Sequence, residues 1–462
     1  MVEVADMREY MLELSDKIFN ELLKRGVEEA EFYGVWTKNM LINVSRDNVK
    51  TATTRYVVNY GVRGAIQRRV AGIASEDLEA DPSKLADQLL SMIKASPEDK
   101  YWPGFATGYS RGVMGDVYDE KTAKITPEEA IDIMIQAFNE SNDIARKCGA
   151  EESIITRGSF RVGLGGVYVA NTYGENIYEE FTIASLIYTV KSRKAGEESS
   201  FNAYFSSRKI NIDEILEQSR RAGEFSVKFI GAKTVPSGEY TVVIDPYMTA
   251  LFLSSALIPA FSAQNIQQNR SPLKNKLEKQ VLAENITITD EPGINWGIGT
   301  RSFDDEGIPT RTKTLVDKGV LTGYLYDYYT ARKENKQSTG NGFRRQPSSP
   351  PSPSPTNFVL KAEKNATNIN DMLGDVGRGI IIHGMIGYWM SNYVNGAVQA
   401  TITHGFYVEN GEVKYPVKGL VIGGNIYDWL GKQLVSVSKE TYRVENIYAP
   451  QIIVEKARIA SK

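Results

Sequence analysis

The C-terminal half of the chain passes from one apolar, helix-like segment into a long series of short strand-like runs. "SGEYTVVIDP" (237–246) is typical of a strand, and "YMTALFLSSALIPAFSA" (247–263) is typical of a mostly buried helix. Beyond Lys279, runs of Val, Ile, Thr and Tyr are separated by Gly, Asn and Pro, as in strands joined by turns. This pattern predicts a β-rich C-terminal domain over residues 233–462.

The N-terminal half mixes helix and strand patterns. Apolar residues from Met7 to Leu22 recur on one helical face, and Gly26 is the expected stop of that helix. Asp81-Pro82 has the form of a helix N-cap followed by proline, and Thr126-Pro127-Glu128-Glu129 has the form of a capping box.

A chain of 462 residues is too long for one simple core. We therefore predict an α+β fold, in which N-terminal α/β-type units precede the β-rich domain. The expected units are an N-terminal α+β domain at residues 1–108 and a central α+β domain at residues 109–232.

Composition excludes several classes of function. The formal net charge is −3, so no overall electrostatic attraction to nucleic acid or to an acidic membrane is expected. No apolar run approaches the length of a transmembrane helix, and the first residues lack the pattern of a signal peptide. Cys148 is the only cysteine, so an intramolecular disulfide is excluded. We expect a cytoplasmic protein that binds neither nucleic acid nor a membrane.

The chain has few residues suited to hydrolytic catalysis. Its only histidines are His383 and His404, on separate strand-like segments, and no HExxH sequence occurs. Asp304, Asp305 and Glu306 are consecutive, so in a strand their side chains would point to alternate faces and could not all reach one ion. No Gly-x-Ser-x-Gly motif is present. We predict no catalytic residue and no metal ligand in this chain.

Three further segments have structural interpretations. The glycines of "VGLGGVYV" lack the second half of a dinucleotide fingerprint and are expected in turns. Cys148 is expected to be a small buried apolar residue rather than a catalytic thiol. The tract "RRQPSSPPSPSPTN" (344–357) holds five prolines and is expected to form a surface loop, either a linker or a wall of a binding cleft.

The stretch 303–332, "FDDEGIPTRTKTLVDKGVLTGYLYDYYTAR", resembles a signature of the TldD/PmbA family of metalloprotease-related proteins. Further matching segments are "STGNGFRR" (338–345), "SPTN" (354–357) and "YVENGEVKYPVKGLVIGGN" (407–425). The N-terminal segment from "AEFYGVW" to "ASEDL" also resembles the first domain of the family. The resemblance therefore extends over nearly the whole chain and implies a C-terminal domain of TldD/PmbA type.

The resemblance has consequences for metal binding. In that family, TldD-type subunits bind zinc through an HExxxH helix and a later cysteine, whereas PmbA-type subunits, also called TldE, lack these residues. Here the corresponding helix spans residues 245–263, with Ser254 and Ser255 near the start of the motif, and no cysteine follows "YPVKG". The chain is therefore similar to the PmbA/TldE type. No cofactor is expected in it, and zinc is expected in a TldD-type partner.

The resemblance also implies a role for the acid cluster and for the neighbouring motifs. The family forms a protease chamber between two subunits, in which extended peptide is held by strand addition. The acid cluster is expected to cap backbone N–H groups at the start of a hairpin. Candidate residues facing the substrate channel are Asp305, Glu306, Thr339, Gly340, Asn341, Asn357 and His404.

Two alternatives to this subunit role remain open. One is the historical description of the family, a non-enzymatic modulator that binds gyrase or another protein. The other is a stand-alone hydrolase in which His383, His404 and an acid such as Asp304 or Glu306 hold a weakly bound metal.

We predict a homodimer for the isolated chain and a pseudo-symmetric heterodimer with a TldD-type subunit. The segment "GMIGYWMSNYVNGAVQ" (384–399), with Tyr388, Trp389 and Met390, is the candidate for the chamber and interface. An ordinary core strand and turn is the alternative interpretation of that segment.

Overall fold

The computed structural model describes residues 7–362, 367–368 and 371–461. The α-helices are α1 Met7–Lys24, α2 Pro82–Ala95, α3 Glu120–Ala123, α4 Pro127–Lys147, α5 Ile212–Lys228, α6 Pro246–Phe252, α7 Ala263–Gln267, α8 Tyr328–Lys333 and α9 Ile426–Trp429. The strands are β1 Glu29–Ser45, β2 Asn48–Ile66, β3 Arg69–Ser75, β4 Glu152–Asn171, β5 Asn176–Lys194, β6 Glu197–Ser207, β7 Gly238–Ile244, β8 Ile286–Asp290, β9 Lys313–Asp317, β10 Val320–Leu321, β11 Gly342–Phe343, β12 Ser352–Pro353, β13 Phe358–Ala362, β14 Arg378–Ile386, β15 Ala397–Glu409, β16 Glu412–Val417, β17 Leu420–Asn425, β18 Leu434–Val444 and β19 Ile447–Ser461.

Six long antiparallel strands form the N-terminal sheet, in the order β3-β2-β1-β4-β5-β6. Its strands come from residues 29–75 and from residues 152–207, so the predicted first and central units contribute to one sheet. The predicted boundaries between the units stay predictions.

The two faces of this sheet have different neighbours. Along β1, Phe32 and Trp36 pack against α1 and α2, and Ile42 packs against α4 and α5. Tyr33, on the opposite face, packs with Phe303 of the C-terminal domain. Because side chains alternate along a strand, one face of the sheet carries the helices and the other faces the acid cluster.

The local signals for helix ends are confirmed. Gly26 follows α1 with a φ of +81°, a conformation that glycine adopts without strain. The Asp81 side chain accepts from the backbone N–H of Ser83 at the start of α2. Thr126 and Glu129 form both hydrogen bonds of a capping box at the start of α4.

The prediction that the "VGLGGVYV" glycines lie in turns is wrong. They lie within β4, which pairs with β1. A Cβ atom at Gly165 would lie 2.6 Å from the Trp36 carbonyl oxygen, and one at Gly166 would lie 2.4 Å from the Trp36 indole nitrogen. The glycines therefore allow β4 to pass close to a buried tryptophan on the neighbouring strand.

The C-terminal domain is β-rich, as predicted, and the α+β class is confirmed. Strands β7, β14, β15, β17 and β19 pair in a closed circuit, since β19 pairs with both β17 and β7. Strands β13, β8, β9 and β10 extend this sheet from β19. Among the described residues, no helix is both long and apolar enough to span a membrane.

Two smaller expectations concern the proline tract and Cys148. The proline tract is neither helix nor central strand, as predicted, and it packs against the N-terminal sheet. A Cβ atom at Gly61 of β2 would lie 2.2 Å from the Pro347 carbonyl carbon. Cys148 is half-buried at the C-terminal end of α4, so it is not a fully buried apolar residue.

Candidate functional site

The predicted helix at residues 247–263 is broken into several short helical pieces. Asp245 caps α6 by accepting from the backbone N–H of Met248 at 2.9 Å. After α6 come a π-helical turn, Leu253–Leu257, and a 3-10 turn, Ile258–Phe261. Pro259 has no backbone N–H to continue an α-helical ladder, so a long regular helix does not form here.

Ser254 and Ser255 lie in the π-helical turn. Their hydroxyl groups donate to the Leu251 carbonyl at 2.8 Å and 3.0 Å, respectively. The residues that resemblance places at the start of a zinc motif therefore satisfy the helix backbone. Hydroxyl groups that donate to a carbonyl do not fit a zinc donor set, which requires imidazole, thiolate or carboxylate.

A cavity of about 720 Å³ lies over this turn, and we call it the arginine groove. It is lined by residues from 254–270 and 343–355 together with Tyr393. Of the described residues that line it, three are arginines and none is Asp or Glu. The groove is thus a cationic, polar depression over the π-helical turn.

The acid cluster lies between the N-terminal sheet and the C-terminal domain. Asp304 accepts from the backbone N–H groups of Glu306, Ile308 and Gly342 at 3.0, 3.0 and 2.8 Å. Burial raises the pKa of Asp304 to about 7, although these three hydrogen bonds oppose the shift. The predicted capping role is therefore observed for this carboxyl group.

The other two acids of the cluster have separate partners. Asp305 forms an ion pair with Arg301 at 2.6 Å and accepts from the backbone N–H of Arg344 at 2.8 Å. Glu306 accepts from the backbone N–H of Tyr328 at 2.7 Å. The three side chains thus diverge, as their consecutive positions predicted.

Glu306 lines a separate cavity of about 430 Å³ together with Arg63 and Asp327. Burial, and next the charge of Asp327, raise the pKa of Glu306 well above its usual range. Burial also raises the pKa of Asp327. Both carboxyl groups therefore ionise less readily than exposed ones do.

Three of the predicted channel residues lie in the loops around Asp290. Asn341 and Asn357 are buried there, and Thr339 is half-buried. Asn341 donates to Asp290 at 2.8 Å, and Thr339 bonds Asn341 at 2.7 Å. Asn357 donates to the Glu291 carbonyl at 2.8 Å. These contacts hold the loops together, so a structural role is visible for each side chain.

Gly340 lies in the same loop with a φ of +70°, and a Cβ there would lie 2.4 Å from the Pro309 carbonyl oxygen. Of the seven predicted channel residues, Glu306 lines the cavity beside Arg63, and His404 lines a cavity elsewhere. The structure does not bring all seven to one surface. Their contact with substrate stays a prediction.

Both histidines line a further cleft, which we call the histidine cleft. It consists of adjoining cavities of about 490 Å³ and 390 Å³ that share Arg221, Tyr247 and His383. His383 Nδ1 lies 3.0 Å from Asp245 Oδ2, and Arg221 donates to the same oxygen. Because a carboxylate only accepts, the neutral ring carries its proton on Nδ1.

His404 lies against aromatic rings rather than against an acid. Its ring centroid is 4.9 Å from that of Phe229 and 5.3 Å from that of Phe201. Burial lowers the pKa of His404 to about 4, and burial also lowers that of His383. Both rings are therefore neutral at pH 7. Within the described parts of the chain, no three His, Cys, Asp or Glu side chains are arranged to hold a metal ion.

Two family models match most of the chain. The model for the PmbA/TldA metallopeptidase C-terminal domain matches residues 237–461, and the model for the central domain matches residues 120–229. The chain belongs to the TldD/PmbA family. The matched C-terminal domain therefore includes the π-helical turn, the arginine groove and most of the histidine cleft.

Curated relatives agree with this assignment. The chain is 34% identical over 60% of its length to an uncharacterized protein of Methanocaldococcus jannaschii, and 32% identical over 47% to a metalloprotease of Methanothermobacter thermautotrophicus. It is 24% identical over 74% of its length to the metalloprotease PmbA of Escherichia coli O157:H7. These alignments span 63%, 47% and 71% of the three relatives. The chain is thus a metallopeptidase-related protein of this family.

Solved structures show the same fold over almost the full length. A protein of Thermotoga maritima, described as a proposed modulator of a DNA gyrase, superposes with a TM-score of 0.83 at 26% identity. That match covers 97% of this chain and 99% of the other. TldE from Thermococcus kodakarensis also gives a TM-score of 0.83, at 23% identity, covering 97% of this chain and 100% of the other.

Proposed function

We propose that this TldD/PmbA member is a zinc-free subunit of a two-subunit metallopeptidase. It pairs with a zinc-binding, TldD-type chain and forms part of the wall of a chamber that holds extended peptide. The partner supplies the metal and the hydrolytic step, and this chain contributes binding surface.

The observation that carries the proposal is the chemistry of the π-helical turn. It lies in the matched metallopeptidase domain, at the place where family resemblance puts a zinc motif. There Ser254 and Ser255 bond the Leu251 carbonyl, and Pro259 follows them. Since this donor set does not fit zinc, a metal-dependent cleavage needs ligands from another chain.

The exposed apolar loop after β14 supports pairing with a second subunit. Trp389 and Met390 are 63% and 65% exposed, and Ile386 and Val394 are exposed beside them. The interpretation of this loop as ordinary core is therefore wrong for these four side chains. Large apolar side chains clustered at a surface are typical of protein interfaces.

Reconstitution tests the proposal. The purified chain, a purified TldD-type subunit encoded in the same genome, and their mixture are each incubated with an unstructured fluorogenic peptide. We expect hydrolysis by the mixture, inhibition of it by chelation, and a stable complex of the two chains on size exclusion. Equal hydrolysis by the TldD-type chain alone, with no complex formed, contradicts the proposal.

The same preparations separate the two alternatives. If the chain is a stand-alone hydrolase, it hydrolyses the peptide by itself and loses this activity when both His383 and His404 are changed to Ala. A gyrase modulator needs gyrase captured by the purified chain without a TldD-type subunit. Either result replaces the proposed role with the corresponding alternative.

A further inference from the structure

The arginine groove has an unbalanced charge. Arg344, at its wall, already has a carboxylate partner, because its buried guanidinium forms an ion pair with Glu31 at 2.8 Å. Arg270 and Arg345 are exposed, and neither has a carboxylate partner among the residues that the structure describes. Arg270 instead donates to the Tyr393 hydroxyl at 2.6 Å. Two cationic groups therefore face the groove without a counter-charge.

Proline and glutamine residues also line the arginine groove. Pro259, Pro353 and Pro355 line it and have no backbone N–H. Gln264 and Gln268 are exposed and also line it, and their amide groups both donate and accept. The groove thus presents the two guanidinium groups of Arg270 and Arg345, together with neutral side-chain donors, to anything that enters it.

We propose that the arginine groove binds an acidic segment of an extended polypeptide, with side-chain carboxylates held by Arg270 and Arg345. Arginine pairs with carboxylate through a planar, two-donor arrangement, which suits ligands of this charge. The inference names a substrate class for the proposed peptide-binding subunit and in that sense rests on the proposed function. It concerns binding by this chain alone, so it has its own test.

Charge-dependent binding has a defined signature. Exposed ion pairs contribute about 0.2–1 kcal/mol each, so two pairs produce an affinity difference between about twofold and about thirtyfold. High ionic strength weakens such pairs, because the Debye screening length falls to about 3 Å at 1 M salt. The preference for an acidic ligand is therefore expected to be largest at low salt and to disappear at high salt.

The test uses two fluorescein-labelled, unstructured peptides of identical length, one rich in Glu and the other with every Glu changed to Gln. Fluorescence anisotropy with the full chain is expected to show about tenfold tighter binding of the Glu peptide at low salt. The double variant Arg270→Gln, Arg345→Gln is expected to bind both peptides equally. The charge-retaining variant Arg270→Lys keeps the preference.

Two controls exclude other causes. Arg8→Gln with Arg55→Gln removes the same number of exposed arginines from the N-terminal domain and is expected to leave the preference unchanged. Tyr393→Phe removes the hydrogen bond of Arg270 but not its charge, and it is expected to retain the preference. Equal binding of both peptides by the unmodified chain, or loss of the preference in the Arg8 and Arg55 control, overturns the inference.

The inference and the proposed function fail separately. A reconstituted, active complex whose isolated subunit does not distinguish the two peptides overturns the inference alone. A chain that prefers the Glu peptide but never supports hydrolysis with a TldD-type subunit retains the groove and loses the proposed function.

Discussion

Glu31 connects the N-terminal sheet to the C-terminal domain through a buried ion-pair network. Its carboxylate accepts from Arg63 at 2.6 Å and from Arg344 at 2.8 Å, and the three side chains are at most 8% exposed. Glu31→Gln removes the ion-pair partner that the two buried guanidinium groups share. Removing one partner of a buried pair costs about 3–5 kcal/mol, so we expect destabilisation of that size.

Urea denaturation followed by tryptophan fluorescence measures this change in the free energy of unfolding. The matched control is Glu13→Gln, which removes an ion pair with Lys17 whose side chains are 61% and 65% exposed. Exposed pairs of this kind contribute about 0–1 kcal/mol. If Glu31→Gln shifts the unfolding midpoint no more than Glu13→Gln does, the network does not hold the two domains as described.

The same variant has a defined dependence on pH. Burial alone raises the pKa of Glu31, but Arg344 and Arg63 outweigh burial and hold the pKa below its usual value. A carboxylate with a lowered folded-state pKa stabilises the protein above about pH 4.3, and this stabilisation is lost as pH falls through the folded-state pKa. The stability difference between the unmodified chain and Glu31→Gln is therefore expected to narrow in acid.

Three further predictions concern other parts of the chain. Glu306→Gln is expected to gain stability relative to the unmodified chain as pH rises above about 5, because the raised folded-state pKa of Glu306 makes its ionisation beside Asp327 costly. Thermal melting curves from pH 5 to 9 measure the stability difference between the two proteins. A difference that does not change with pH refutes the prediction. Gly166→Ala is expected to cost about 1–3 kcal/mol through overpacking against β1. The control in the same urea denaturation is Gly423→Ala, whose Cβ would lie at an ordinary contact distance of 3.8 Å from the Val398 carbonyl oxygen. Trp389→Ala is expected to change the free energy of unfolding by less than about 0.5 kcal/mol, because the side chain is exposed. It is also expected to weaken self-association as measured by light scattering. A variant that dimerises as the unmodified chain does places the interface elsewhere.

Features set by neighbouring residues were predictable from the sequence. The caps of α2 and α4 depend on Asp81 and on Thr126 with Glu129, which act within one helical turn of their own positions. The prediction that the closely spaced glycines of β4 lie in turns is wrong, because the residue that requires them is Trp36, which is far away in the sequence. Local spacing carries no information about which strand will pair alongside.

The histidine cleft shows the same limit. Asp245 has a recognisable N-cap position before Pro246, but its partner His383 lies 138 residues further along the chain. Arg221, which completes the cluster, comes from the central domain. The arginine groove likewise combines segments that the sequence keeps apart, so its charge could be recognised only after folding brings residues 270 and 345 to one cavity.

Zinc content tests the central claim most directly. The purified chain and a TldD-type subunit are each dialysed against zinc, then against zinc-free buffer, and analysed by inductively coupled plasma mass spectrometry. We expect no retained zinc in this chain alone and retained zinc in the TldD-type subunit and in the mixed complex. One zinc retained per molecule of this chain alone, with peptidase activity that chelation removes, contradicts the account.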